Sequence, residues 1–194
     1  MFNQLELIDR QLFLMLNGLH TSEFDNVMYY ISQTWVFTPL FLYWIYLIFL
    51  NMGIKKTSIL LIGVALLVVF TDQTSNQIKH ATKRYRPTHN IEIGSKVHIV
   101  REYRGGKYGF FSGHATNSFG IAMLLCLIFN KKSLIFRASF FIWAFLTGYS
   151  RIYLGVHYPS DVFVGMLVGL VWGFIVYQLL QYIFNKKFNE AVSI

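Results

Sequence analysis

The chain has 194 residues, of which 55% are hydrophobic, 18% aromatic and only 13% charged. Soluble domains are about one quarter charged, so this composition excludes an ordinary soluble protein and indicates a protein of the membrane. The formal net charge is +8. Because the basic residues lie between apolar segments, this charge fits lysines near anionic lipid head groups and argues against nucleic acid binding.

Residues 3–19 predict an amphipathic helix that lies in the membrane interface rather than a span. Charged residues interrupt an apolar run whose members recur at helical spacing. These apolar positions are Leu5, Ile8, Leu12, Met15, Leu16 and Leu19. The polar residues 21–25 predict a break before the first span. No small-residue cleavage site follows a basic start, so we expect no signal peptide.

Five apolar segments follow, and each is predicted to cross the bilayer. They cover residues 35–50, 57–72, 115–130, 133–149 and 161–184. Several are shorter than the roughly 20 residues that a bilayer core requires, but their aromatic and lysine flanks suit the interface. The second segment predicts a helix that continues toward residue 85. The predicted fold is an all-α membrane helix bundle, with one domain over residues 1–194 and a motif-bearing core over 73–184.

Three lysine pairs follow the first, third and fifth predicted spans. They are Lys55 and Lys56, Lys131 and Lys132, and Lys186 and Lys187. The positive-inside rule makes that side cytoplasmic, which gives an external N-terminus. The loop over residues 73–112 lies on the opposite face and holds eight of the 17 Lys and Arg residues. A plain count of charge would reverse the orientation, but we expect these cations to serve an anionic ligand.

The stretch "KHATKRYRP", residues 79–87, predicts a cationic helix end. If the second span continues as a helix, Lys79, Lys83 and Arg86 recur at i, i+4 and i+7 and share one face until Pro87 ends it. Cations that point one way can hold a multiply charged anion, and the arginine fork matches phosphate oxygens in pairs. The alternative is a snorkelling, solvated helix end.

The stretch "FSGH", residues 111–114, lies where the third span begins. Ser112 and Gly113 therefore coincide with unpaired backbone N–H groups and the positive end of a helix dipole, which suits an anion. Serine is also a common N-cap, so capping alone explains Ser112 equally well. His114 has the same two interpretations, a functional side chain or an interfacial histidine.

The stretch "SRIYLGVHYPSD", residues 150–161, joins the fourth and fifth spans. Pro159 suits the first turn of a helix, which places His157 just before that helix and Asp161 within its first turn. A carboxylate there can bind one imidazole nitrogen and leave the other free and nucleophilic. Alternatively, Asp161 only favours the helix dipole and His157 is a loop residue.

Alternating spans place all three stretches on the same membrane face. Together they offer cations, a helix N-terminus, two histidines and one carboxylate, without a cysteine or acidic cluster at metal-ligand spacing. This set suits phosphoryl transfer without a metal. Cations neutralise the phosphate, one histidine attacks it, and the other protonates the leaving oxygen.

The three stretches resemble the motifs of the type 2 phosphatidic acid phosphatase superfamily, K-x6-R-P, P-S-G-H and S-R-x5-H-x3-D. The resemblance implies a helical membrane core and hydrolysis of phosphate esters or anhydrides without a metal or another cofactor. It makes His157 the nucleophile that forms a phosphohistidine, Asp161 its orienting partner and His114 the general acid. The phosphate-binding residues that it implies are Lys79, Arg86, Ser112, Gly113 and Arg151.

One position departs from the family pattern, because Phe111 stands where the family has proline. We expect activity to survive this change. The stretch "VREYRGGKYGF", residues 100–110, precedes this position and is called the motif-linking loop. Its Arg101, Arg104 and Lys107 are candidates for further anion contacts or are solvated charges. The expected substrate is a membrane lipid, with lipid A phosphate or undecaprenyl pyrophosphate favoured. Phosphatidylglycerol phosphate, phosphatidate and a non-enzymatic lipid-binding or transport protein are the alternatives.

We also expect a location in a bacterial inner membrane, with the site on the periplasmic face.

Overall fold

A computed structural model describes residues 2–194 of the chain, with side chains described from residue 4 onward. Six α-helices account for most of these residues, and the predicted all-α membrane bundle is confirmed. The helices are α1 (Phe2–Asn17), α2 (Ser22–Ile31), α3 (Thr38–Thr82), α4 (Gly113–Ile128), α5 (Leu134–Tyr153) and α6 (Pro159–Phe188). Short 3-10 turns lie at Thr34–Phe37, Pro87–His89 and Gly94–Lys96.

Gly53 divides α3 into two arms, residues 38–52 and 54–82. Its φ of 71° and ψ of 174° leave the helical region, and glycine adopts a positive φ without the cost that a Cβ imposes. Phe41 of the first arm and Val68 of the second line the same cavity. A straight helix would separate these two residues by about 40 Å. The chain therefore turns back at Gly53, and the arms are two spans.

Two helical stretches, Thr34–Thr82 and Pro159–Phe188, are long and apolar enough to cross a membrane. Helix α4 is apolar but has 16 residues, and α5 has 20 residues. The two arms of α3 together with α4, α5 and α6 take the places of the five predicted spans. The outer surfaces of these helices carry exposed Leu, Ile, Val and Phe side chains, as lipid-facing surfaces do.

Helix α1 matches the predicted amphipathic helix. Most of its predicted apolar face remains exposed, in agreement with a helix that lies in the interface. Its buried side includes polar residues. At its last position, the Asn17 amide donates to the carbonyls of Tyr153, at 2.7 Å, and Ile152, at 3.3 Å. These bonds hold the end of α1 against the end of α5.

The predicted break over residues 21–25 is wrong, because this segment begins α2. Thr21 caps the helix, and its Oγ1 accepts a hydrogen bond from the backbone N–H of Phe24 at 3.4 Å. Glu23 and Asp25 lie in the first turn, where negative charge complements the helix dipole. The polar residues that suggested a break are thus signals for a helix start.

The second span continues as a helix beyond its apolar segment, as predicted, but it stops three residues short of residue 85. Helix α3 ends at Thr82, and Lys83 takes the left-handed conformation with φ 47° and ψ 29°. The next residues are extended and pair with the motif-linking loop, since the N–H of Arg86 donates to the carbonyl of Lys107 at 3.1 Å. Lys79, Lys83 and Arg86 therefore do not share a helix face.

Backbone contact between α4 and α6 brings the two motif-bearing helix starts together. Three glycines spaced four residues apart, Gly165, Gly169 and Gly173, face the α4 backbone. A Cβ at position 165 would lie 2.7 Å from the carbonyl oxygen of Ser112. Small residues allow this approach, which is a common way to pack helices within membranes.

Gly169→Ala is expected to lower the midpoint of thermal unfolding. A Cβ at position 169 would overlap the carbonyl oxygen of Thr116 and lie 3.0 Å from the backbone nitrogen of Gly120. Such overpacking costs about 1–3 kcal/mol, which outweighs the gain of about 1 kcal/mol that alanine brings to a helix.

The control is Gly106→Ala, since a Cβ there has no neighbour within 4 Å. Unfolding in detergent, followed by circular dichroism, compares the two variants. A Gly169→Ala protein that is more stable than the wild type would show that helix propensity, not close packing, governs this position.

Candidate active site

A cavity of about 500 Å³ opens at the end of the bundle where the three motifs meet. Both arms of α3 contribute to its wall, together with α4, α5 and the motif-linking loop. Six of the predicted site residues line it, and these are Lys79, Arg86, Gly113, His114, Arg151 and His157. Ser112 and Asp161 lie behind the wall and are buried. The structure thus brings the predicted set together around one cavity.

The three cations of the cavity reach it from different elements. Lys79 lies on the last turn of α3, and Arg151 lies near the end of α5. Arg86 extends from the short segment that follows α3 and is held by backbone carbonyls. Its Nε donates to Tyr108 and its Nη1 to Val156, each at 3.1 Å. Arg151 is only 2% exposed, and its Nη2 donates to the Tyr103 hydroxyl at 2.9 Å.

Within residues 4–194, none of these three cations forms an ion pair with a carboxylate. The Nε of Arg151 is buried and has no hydrogen-bond partner in the same part of the chain. Buried charges are normally paired because leaving water is costly. The cavity therefore has the electrostatic character of a site for a multiply charged anion.

His157 and Asp161 form a buried pair, each about 1% exposed. Arg86 Nη1 lies 3.0 Å from His157 Nε2, and a guanidinium can only donate, so Nε2 is the acceptor. The proton of the neutral ring is then on Nδ1, which donates to Asp161 Oδ2 at 3.3 Å. The lone pair of Nε2 therefore accepts from Arg86, and both side chains line the cavity.

Burial is the main cause that holds the pKa of His157 well below its ordinary value, and the positive charges of Arg86, Arg151 and Lys79 add to it. The imidazole is therefore neutral at neutral pH. A neutral imidazole is the form that can act as a nucleophile.

The start of α4 closes the opposite side of the site. The N–H of Ser112 donates to the carbonyl of Asp161 at 3.0 Å, and its Oγ accepts from the N–H of Ala115 at 3.4 Å. Ser112 therefore caps α4 in this structure. Phe111, at the position of the family proline, is buried, and its carbonyl accepts from Ser75 Oγ at 3.1 Å.

Two residues that contact the His157–Asp161 pair were not predicted from the sequence. Arg84 Nη1 donates to Asp161 Oδ1 at 2.6 Å. A Cβ at Gly109 would lie 3.1 Å from Asp161 Oδ2, so only glycine lets the loop pack directly on the pair. The one available signal was the first arginine of the "KRYRP" stretch, which spacing alone does not distinguish from a solvated charge.

The loop cations Arg101, Arg104 and Lys107 do not line the cavity. Arg101 instead donates to the Asn26 side chain on α2, at 2.7 Å from Nη2. The loop contributes Tyr103 to the cavity wall. Its role at the site is therefore a hydroxyl and a ring beside Arg151 rather than further cations.

No group of three or more His, Cys, Asp or Glu side chains is placed to hold a metal ion in the part of the chain that the structure describes. The groups assembled around the cavity are unpaired cations, a helix N-terminus and a histidine oriented by a carboxylate. At one end of a membrane bundle, these are the groups of an integral membrane enzyme that transfers a phosphoryl group.

Comparison with known proteins agrees with this class. The profile of the PAP2 superfamily matches residues 56–185, and the chain belongs to this superfamily. Two lipid A 4′-phosphatases are each 36% identical to it. The protein from Porphyromonas gingivalis aligns over 90% of this chain and 74% of its own length. The protein from Bacteroides thetaiotaomicron aligns over 88% and 76%, respectively.

Two solved structures share the architecture. LpxE of Aquifex aeolicus superposes with a TM-score of 0.65 at 27% identity, over 87% of this chain and 93% of that one. The transmembrane PAP2-type phosphatidylglycerolphosphate phosphatase of Bacillus subtilis gives a TM-score of 0.70, over 96% of this chain and 90% of its own. At 22% identity, the second likeness concerns the fold alone.

The chain is therefore an integral membrane lipid phosphatase, and its substrate is a membrane lipid. A non-enzymatic lipid-binding or transport protein, the alternative left open by the sequence, is set aside because these relatives are phosphatases.

Arg86→Gln is expected to raise the pKa of His157. The substitution removes a positive charge that opposes protonation, together with the hydrogen bond that engages the Nε2 lone pair. In the wild type, the lowered pKa means that His157 stays neutral to a pH below the ordinary histidine range. Histidine-selective NMR of the protein in detergent follows both titrations.

The matched control is Arg104→Gln, which removes an exposed charge from the neighbouring motif-linking loop. It is expected to leave the titration of His157 unchanged. A wild-type His157 that titrates in the ordinary range would contradict the inferred environment. So would a curve that Arg86→Gln does not move.

Proposed function

We propose that the protein hydrolyses a phosphate monoester on the sugar head group of a lipid A-type glycolipid through a phosphohistidine intermediate. The observation that carries this proposal is the set of three cavity cations around His157, none of which forms an ion pair with a carboxylate within residues 4–194. The identity to two lipid A 4′-phosphatases supports the substrate class.

In the first step, His157 Nε2 attacks the phosphorus atom and the bond from phosphorus to the lipid oxygen breaks. His114 donates a proton to that oxygen, so the lipid leaves as an alcohol. Asp161 holds the Nδ1 proton of His157 and stabilises the positive charge that develops on the ring. A phosphate dianion among the cations favours a protonated His114 by charge attraction.

In the second step, water attacks the phosphorus atom of the phosphohistidine from the side on which the lipid oxygen left. His114, now neutral, accepts the proton of that water, and the bond between phosphorus and Nε2 breaks. Inorganic phosphate leaves, and both histidines return to their starting states. One residue thus acts first as an acid and then as a base.

Lys79, Arg86 and Arg151 are proposed to neutralise the phosphate oxygens, with the backbone N–H of Gly113 at the positive end of α4. In the structure, Arg86 donates to His157 Nε2. In this proposal, a bound phosphate attracts the Arg86 guanidinium away from Nε2, and the lone pair of Nε2 becomes free to attack. Ser112 is proposed to serve through its cap, which directs the first N–H groups of α4 to the anion.

An apolar groove of about 220 Å³ lies beside the catalytic cavity, between the two arms of α3 and α4. Phe41 and Ile121 line both spaces. The other walls of the groove are apolar except for Thr57, which suits a hydrocarbon chain. The shared wall supports lateral entry of a lipid, with its head group in the cavity and its acyl chain in the groove.

One acidic side chain in the cavity supports a phosphosugar over a pyrophosphate. Asp72 lines the wall, and its Oδ1 accepts from Asn117 Nδ2 at 3.0 Å. A carboxylate repels a second phosphate, whereas the hydroxyl or amide N–H groups of a sugar can donate to it. A pyrophosphate lipid and phosphatidylglycerol phosphate are therefore the less favoured substrates.

The three lysine pairs lie at helix ends away from the cavity, after Gly53 and at the ends of α4 and α6. By the positive-inside rule, this supports a periplasmic active site in a bacterial inner membrane. In this proposal the whole chain, residues 1–194, forms one catalytic unit.

His157→Ala is expected to abolish phosphate release and the acid-labile phosphoenzyme, because no other group replaces the nucleophile. His114→Ala is expected to reduce release from lipid A by about 10²–10⁴-fold. It should have a smaller effect on 4-nitrophenyl phosphate, whose leaving group needs no proton. Release of inorganic phosphate from both substrates measures the difference. Undiminished hydrolysis by His157→Ala would refute the nucleophile.

Asp72→Asn is expected to shift the substrate preference toward undecaprenyl pyrophosphate relative to lipid A. A change of roughly 5-fold in the ratio of kcat/KM corresponds to about 1 kcal/mol, the scale of a partly exposed charge. Glu23→Gln, on the exposed face of α2, is the matched control. A wild type that prefers the pyrophosphate, or a ratio that Asp72→Asn does not change, would count against the phosphosugar.

A further inference from the structure

A network of charges connects the interfacial helix α1 to the His157–Asp161 pair. Arg84 is at its centre, and its Nη1 donates to Asp161 Oδ1 while its Nη2 donates to Asp9 Oδ2, each at 2.6 Å. Asp9 lies on α1 and is only 8% exposed. One guanidinium thus joins a carboxylate of α1 to a carboxylate in the first turn of α6.

Asp9 also binds the first turn of α6. Its Oδ1 accepts from the backbone N–H of Ser160 at 2.9 Å, and its Oδ2 accepts from the Ser160 hydroxyl. The N–H groups of a first helical turn have no partner within their own helix. A side chain of α1 therefore supplies the acceptor that α6 lacks at this position, one residue before Asp161.

The plane of Arg84 is fixed from a third direction. Its Cζ lies 4.3 Å from the centre of the Tyr158 ring, and Nη1 also donates to Ser160 Oγ at 2.7 Å. A guanidinium held by two carboxylates, a hydroxyl and an aromatic ring has little freedom to turn. The bond to Asp161 is therefore formed before a substrate arrives.

We propose that Asp9 and Arg84 are positioning residues, through which α1 holds Asp161 in the orientation and charge state that His157 requires. Neither residue lines the cavity, so neither touches the phosphate. Asp161 accepts Arg84 on Oδ1 while its Oδ2 accepts His157 Nδ1 and the N–H of Tyr158. Without Arg84, this buried carboxylate loses the cation that offsets its transfer from water.

This assignment rests on the proposed function, since it concerns the residue that orients the nucleophile. Its consequence is that α1 is part of the catalytic apparatus although it crosses no membrane and carries no motif. The apolar side of the same helix is exposed toward the interface. Attachment to the lipid surface and orientation of the nucleophile thus depend on one element.

Asp9→Asn is expected to lower kcat for phosphate release from lipid A by about 10- to 100-fold, as substitution of groups that orient a functional histidine does. KM should change by less than about 3-fold, because the phosphate contacts remain. Normalisation to the amount of folded, monodisperse protein, measured by size-exclusion chromatography in detergent, removes any loss of folded protein. Glu6→Gln, which makes the same change on α1 at a residue paired with Arg10, should leave kcat unchanged.

Arg84→Gln should lower kcat at least as much, and the Asp9→Asn/Arg84→Gln double variant should be no slower than Arg84→Gln alone, because Asp9 acts through Arg84. If Asp9→Asn does not accumulate, Arg84→Lys takes its place. It keeps the charge but loses the fork, and the same loss in kcat at unchanged KM is expected.

Additive losses in the double variant, or wild-type kcat for Asp9→Asn or Arg84→Lys, would overturn the assignment. Loss of activity in His157→Ala together with wild-type kcat in Asp9→Asn would refute this inference alone. Full activity in His157→Ala would refute the proposed nucleophile instead.

Discussion

The close approach of α4 and α6 is the contact on which the site depends. Glycines at every fourth residue of α6 let its backbone touch that of α4, and the N–H of Ser112 donates directly to the carbonyl of Asp161. This contact fixes the start of one motif-bearing helix against the start of the other. The distance between the histidines is therefore set by backbone packing rather than by flexible side chains.

A second constraint is the separation of paired and unpaired charge around the site. Arg84 is held by Asp9 and Asp161, while Lys79, Arg86 and Arg151 face the cavity without a carboxylate in an ion pair within residues 4–194. The paired group stabilises the buried orienting carboxylate. The three cavity cations outnumber Asp72, the one acidic side chain among the described residues of the cavity wall, and so leave an excess of positive charge where a phosphate would bind.

The apolar segments and the three motifs were predictable because each depends on local information. Long apolar runs can satisfy their backbone in a membrane only as helices, and motif spacing places side chains relative to helix starts. The start of α2 and the exact end of α3 were predicted wrongly, because short polar segments fit more than one local structure. Polar residues such as Thr21 and Asp25 suit both a break and a helix start, and only the cap geometry distinguishes the two.

The sequence alone determined that the chain is a membrane helix bundle, and that two histidines, a carboxylate and several cations share one face. The family motif singles out Arg86 as a phosphate contact, but the sequence assigns no role to Arg84, two residues earlier. Tertiary structure decided that Arg86 enters the cavity and Arg84 turns away to Asp9 and Asp161. The physical reason is that residues two apart in an extended segment point to the same side, so local geometry does not separate these two arginines. Long-range contacts separate them: the carboxylates of Asp9 and Asp161 hold one guanidinium, and the carbonyls of Tyr108 and Val156 hold the other.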